Sequence, residues 1–150
     1  MSIPPRGAGR QVTLAGLRVI LLMFAGFLAA AMLFAALGQG LFETRDESLN
    51  AALLPVLGLL ALAEGLTWFV LRLRMQPRWK AELAVEPYRP GGPVPTNYAG
   101  ILIIGGAFAE GIGVFGALIH LMTGDFVALV VSGIALLLIL AQLPREEALR

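Results

Sequence analysis

Three side chains within the apolar runs of this sequence can exchange a proton near neutral pH: Glu64, Glu110 and His120. Each glutamate stands about halfway along its run, and no Lys or Arg stands at that depth in any run. A charge at mid-bilayer costs roughly 2.5–3.5 kcal/mol by insertion scales. The nearest interface is about 15 Å away at 1.5 Å per residue, too far for either acid to snorkel. Two carboxyls meeting there cannot both ionise, so the expectation is a pair that shares a proton or holds a monovalent cation. His120 lies near the end of its run, about 15 Å along the helix from Glu110. It is either a proton relay to the surface or a solvated interfacial histidine.

Other chemistry is excluded by residue type. The chain has no Cys, which removes disulfides, thiolate metal sites and cysteine nucleophiles. A di-metal carboxylate bundle needs two Glu-x-x-His pairs, and the sequence has one His. Gly111-Ile112-Gly113-Val114-Phe115-Gly116 approximates a nucleotide fingerprint, but it lies inside an apolar run with no strand before it. No nucleophile–base pair is present, and a net charge of +1 does not suit a nucleic-acid binder. The expectation is a protein without enzymatic activity, cofactor, metal or nucleic-acid partner.

The elements that must position the acids follow from composition. Of 150 residues, 58% are hydrophobic and 14% charged, with a mean hydropathy of +0.83. A soluble domain is roughly 45–50% apolar and about 25% charged, so the surplus must face lipid. A spanning helix needs about 20 apolar residues, and four such runs occur, at about 15–42, 46–74, 98–122 and 126–143. The fold class expected is an all-α membrane protein: four transmembrane helices in an antiparallel bundle, with 1–150 a single integral membrane domain. A cleaved signal peptide over the first run is the alternative; its length and the three runs that follow argue against that.

Thr44-Arg45-Asp46-Glu47 is a capping box that starts the second span, and Pro55 is expected to bend it. Thr123-Gly124-Asp125 leaves room only for a helical hairpin. The linker 76–97 holds Pro77, Pro87, Pro90, Pro93 and Pro95 with Gly91-Gly92, which favours extended backbone. It reads as a tether on the membrane surface or a docking strip for a partner. Trp79, Tyr88 and Tyr98 suit the headgroup level. Basic residues set the orientation. Arg6, Arg10, Arg18, Arg72, Arg74, Arg78, Lys80, Arg89, Arg145 and Arg150 fall on one side and Arg45 alone on the other. Both termini are therefore expected in the cytoplasm, consistent with a bacterial inner (plasma) membrane.

Small residues mark where helices approach closely in lipid. In span three Ala99, Gly106, Gly113 and His120 recur every seven residues, and Ile103, Glu110 and Ala117 form the adjoining row. A neighbouring helix should pack on that stripe. In span two Gly58, Ala61 and Gly65 form a similar patch beside Glu64.

The two acids have related surroundings. Ala61-Leu62-Ala63-Glu64-Gly65-Leu66-Thr67-Trp68-Phe69 matches Ala107-Phe108-Ala109-Glu110-Gly111-Ile112-Gly113-Val114-Phe115 at both Ala, at Glu, at Gly and at Phe. Residues 107–119 also resemble the carboxylate helix of the proteolipid c subunit of rotary ATP synthases, with its Ala-x-x-Glu-small pattern and an aromatic five residues after the acid. Arg74-Met75-Gln76-Pro77 is similar to that family's cytoplasmic Arg-Gln-Pro loop. The resemblance covers 74–119 and implies that Glu110 binds a proton or sodium ion reversibly. Spans one and four have no counterpart in that two-helix family, and Glu64 stands in a span that lacks its glycine stripe.

Two functions are expected from these residues. One is a small subunit whose glutamates bind or relay protons or cations within a membrane complex. The alternative is an accessory subunit that packs against a larger complex. Partners would be the lipid bilayer and either further copies of the chain or other subunits. A small multidrug exporter would carry its acid in the first span, which here is uncharged at mid-depth.

Overall fold

The computed structural model describes residues 12–38 and 47–149. Four helices pack together: α1 (Leu14–Gly38), α2 (Glu47–Val85), α3 (Thr96–Thr123) and α4 (Phe126–Ala141), followed by a short 3-10 turn at Glu146–Leu149. The capping box at Thr44-Arg45-Asp46, the end of the first span beyond Gly38, and Arg6, Arg10 and Arg150 lie outside the described residues. Three helices, α1, α2 and α3, are long and apolar enough to cross a membrane. With 16 residues, α4 is about 24 Å long, less than the roughly 30 Å hydrocarbon core. Large apolar side chains such as Phe27, Leu37, Leu62, Leu66 and Leu137 face outward, a surface suited to lipid contact.

At the centre lies α3, with α1, α2 and α4 each packed on it; α1 and α4 also touch, while α2 rests chiefly on α3. The reason is the missing side chains of α3. A Cβ at Gly106 would lie 2.6 Å from Leu21 Cδ2, and one at Gly113 would strike the Leu28 side chain. Ala99 packs with Leu14 and Leu17, and Ala117 with Ala35. All four positions therefore receive α1. A Cβ at Gly116 would meet Ala128 O and Ser132 Oγ, both at 2.7 Å, so α4 approaches backbone to backbone. Ser132 Oγ donates across this contact to Gly113 O at 2.7 Å. The join is tight because Gly124 ends α3 at φ 71, a left-handed turn that suits glycine, and Asp125 caps α4.

Two expectations are corrected. The small patch of α2 is not a packing face within the described chain: Gly58 and Gly65 are exposed and a Cβ on either would meet nothing within 4 Å. Instead α2 presents Leu53, Leu54 and Leu57 to Ile112, Phe115 and Ile119, large side chains lying on a glycine-rich partner. Ala61, half-buried, lies on this inward side. The linker 76–97 is helical over its first ten residues, because α2 continues through Pro55 and Pro77 to Val85. Trp79 stacks edge-on against Tyr98 at 5.3 Å, and Leu83 joins the same cluster with Leu14, Leu17 and Val94. These contacts outweigh the hydrogen bond that Pro77 removes.

Extended backbone begins only after Glu86. There Arg89-Pro90-Gly91-Gly92 forms a type II turn, with Gly91 at φ 80 and Gly92 N–H donating to Arg89 O at 2.8 Å. Val94 N–H donates to Val12 O at 3.0 Å, and Arg18 Nε to Pro144 O at 3.1 Å. These bonds bring the start of α1, the end of α2 and the tail of α4 to one end of the bundle. The described basic residues of the two flanks and the linker gather there.

If close approach at α3 holds the bundle, Gly116→Leu should lower stability by about 1–3 kcal/mol or more through overpacking. Gly111→Leu, which enters open space, should change it little. Thermal unfolding in detergent compares the two, and equal losses would contradict the packing argument.

Candidate functional site

Glu64 and Glu110 lie at one level of the bundle but do not meet. Trp68 packs against Gly105. Because α2 and α3 run antiparallel, Glu64, one turn before Trp68, is level with Ala109, one turn after Gly105. Around α3 the two acids part. Ile112 packs toward α2, and Glu110 lies about 160° from it at 3.6 residues per turn. Glu110 is half-buried in a shallow depression of about 440 Å³, lined by Phe27 of α1 and by Ala107, Gly111, Val114, Phe115 and Leu118 of α3. No described α2 residue lines it. The expected shared-proton pair is therefore not formed within this chain. Its physical reason is the azimuth of each acid: Glu64 turns inward, and Glu110 turns to the open side between α1 and α2.

Glu64 has different company. Its Oε2 is buried and accepts no hydrogen bond. One turn on, Trp68 Nε1 is a buried donor without an acceptor, and Gln142 Oε1 is a buried acceptor without a donor. Both of these atoms lie where a Cβ at Gly105 would stand, so they converge on one glycine from α2 and from the end of α4. The Arg72 guanidinium sits over the Trp68 ring at 5.1 Å, which continues the polar row Glu64, Trp68, Arg72 along one face of α2. Sequence reasoning missed Trp68 and Gln142. The available signal was the four-residue spacing that puts both Trp68 and Arg72 on the face of Glu64.

The third candidate, His120, is buried rather than solvated. Its Nδ1 lies 2.8 Å from Asp125 O; a carbonyl only accepts, so Nδ1 carries the hydrogen. His120 thus braces the α3–α4 turn. Asp125 is the hub of that end. Its Oδ1 accepts from Val127 N–H at 2.7 Å and its Oδ2 from Asn50 Nδ2 at 2.6 Å, which ties the start of α2 to the hairpin. Together these donors hold the Asp125 carboxyl below the usual aspartate range, Asn50 contributing most.

Chemically, the described residues offer two separate intramembrane carboxyls and one structural histidine. They bring together no group of three or more His, Asp or Glu able to hold a metal ion. Comparison of the chain with protein-family models, curated proteins and solved structures finds no match.

The Asp125 hub carries a pH dependence of known sign. A carboxyl lowered on folding contributes stability that is present above the ordinary aspartate value and is lost as pH falls through the lower folded value. Unfolding followed between about pH 5 and pH 2 should show that loss in the natural protein. Asp125→Asn should flatten it and Asn50→Ala should shrink it; an unchanged acid limb in both would exclude the hub.

Proposed function

We propose that this chain is a non-enzymatic accessory subunit of a membrane complex, joined to a neighbouring helix at the Glu110 face of α3. One observation carries the reading. Glu110 stands at mid-depth in a depression that is bordered by Phe27 of α1 and otherwise left open among the described residues, beside Ala107 and Gly111 at small-residue spacing. An intramembrane acid is expected to face protein or water rather than acyl chains, and close-approach residues next to it are what a partner helix requires. A neutral carboxyl there donates a hydrogen bond to that helix.

In this reading all four helices span the bilayer, with α4 short and the bilayer thinned locally to match. The basic end faces the cytoplasm with both termini, as the positive-inside rule directs, and the setting is a bacterial inner membrane. The partner is a further copy of the chain or a different subunit.

A second reading is favoured by the same openness: Glu110 alone binds a proton or monovalent cation, as its resemblance to the rotary c subunit implies. Joint binding by Glu64 and Glu110 has less support, because the carboxyls face different sides of α3.

Photo-reactive residues introduced at Gly111 and at Leu137 in native membranes test the proposal. Position 111 should yield one discrete protein adduct and the lipid-facing position 137 none. Since the chain has no cysteine, Gly111→Cys reports self-association directly as a disulfide-linked dimer. Glu110→Gln should keep the adduct and Glu110→Leu should lose it. A monodisperse chain without adduct at 111 would overturn the accessory reading. Assembly intact while Glu110→Gln abolishes ion flux in vesicles would favour the second reading instead.

A further inference from the structure

The basic end of the bundle holds a second feature, unrelated to the glutamates. Arg72, Arg74, Arg78 and Lys80 are all exposed along the last turns of α2, and Arg89 is exposed on the turn that follows. Among the described residues none of them pairs with an acid. The two acids nearest in sequence are Glu82 and Glu86. Glu82 is committed elsewhere: its Oε2 accepts from Thr96 N–H at 3.0 Å and its Oε1 from Asn97 Nδ2, closing the first turn of α3. Glu86 is exposed at the end of α2. With Glu146 and Glu147 on the α4 tail, the described residues of this end carry seven basic and four acidic side chains, a net positive balance.

Two of these cations line a cleft. Between the end of α2 and the segment 87–96 lies a space of about 1120 Å³, its polar lining made of Arg78, Glu82, Glu86, Tyr88, Arg89 and Thr96. It opens at the depth where Trp79 and Tyr98 stack and where Lys80 Nζ stands 6.0 Å over the Trp79 ring. Aromatic rings with cations beside them are the features of the headgroup layer.

We propose that this cleft binds the headgroup of an anionic phospholipid, with Arg78 and Arg89 as its phosphate-facing walls and Arg74, one turn before Arg78 on the same face of α2, beside them. Arginine presents a planar fork of donors matched to phosphate oxygens. The Glu82 carboxylate on the same wall is already occupied by its donors from the first turn of α3, which leaves Arg78 and Arg89 as the groups of the lining for an anion to pair with. Glu86, exposed on the wall, is the acid of the lining left to oppose an anion. The proposal requires only that the protein lie in a bilayer and is independent of any role for Glu110.

Native mass spectrometry of the full chain in detergent, titrated with dioleoyl-phosphatidylglycerol or dioleoyl-phosphatidylcholine, tests it. The anionic phosphatidylglycerol should form adducts at lower concentration than the zwitterionic phosphatidylcholine, by about tenfold or more for two arginines on one cleft. Arg78→Gln with Arg89→Gln should remove that preference, and Arg78→Lys with Arg89→Lys should retain most of it, circular dichroism confirming the fold in each. Equal binding of the two lipids would overturn the proposal. So would an equal loss from Arg72→Gln and Lys80→Gln combined, which would mean diffuse attraction. Displacement of the lipid by millimolar inorganic phosphate would make free phosphate, not lipid, the ligand.

Discussion

Lipid gives helices no hydrophobic reason to associate, so the whole bundle depends on how closely backbones can approach α3. Its glycines face in different directions. Gly106 and Gly113 receive Leu21, Phe24 and Leu28 of α1; Gly116 receives the α4 backbone; Gly105 receives Trp68 and Gln142. Remove these gaps and three neighbours lose their seats at once. The same geometry decides where the acids end up. A helix surrounded by three partners has one open side left, and Glu110 stands at its edge.

Carboxylates do two kinds of work in this chain, separated by depth. At the ends, Glu82 and Asp125 sit at the first turns of α3 and α4, where unpaired N–H groups and the helix dipole favour an anion. Pro95 precedes α3 and makes no side-chain cap, so an acid from α2 supplies one from across the fold. That bond, with the Trp79–Tyr98 stack, holds α2 helical past Pro77. Asp125 does the matching work at the other end through Asn50. Glu64 and Glu110, in the apolar middle, have no helix end within reach and no basic partner among the described residues, so they do not cap or brace a helix end.

Much of the architecture was legible in the sequence. Long apolar runs give helices, and Gly124-Asp125 gives the αα turn, because both follow from local chemistry. What was not legible required knowing which way each helix faces. Small residues gave span three a phase and put Glu110 in the packed stripe; α1 does cover Ala99, Gly106, Gly113 and Ala117, yet Glu110 falls at the edge of that contact, in an open depression. Gly58 and Gly65 show the same limit: small residues permit close packing but do not say that a neighbour is there. Proline in 76–85 argued locally for extended backbone, and tertiary contact overrode it. His120 read as interfacial, yet the hairpin folds over it and buries the ring.

The separation of the acids narrows what the protein can do. A proton shared between two carboxyls needs both on one axis of approach, and here α3 stands between them. Each acid must then find its own partner. Glu64 has candidates inside the chain, since the unpaired N–H of Trp68 lies one turn away and the Gln142 carbonyl beside it. Among the described residues, Glu110 has only the apolar walls of its depression. The asymmetry separates the two residues: Glu64 turns toward the interior of the bundle, whereas Glu110 lies on the open side of α3.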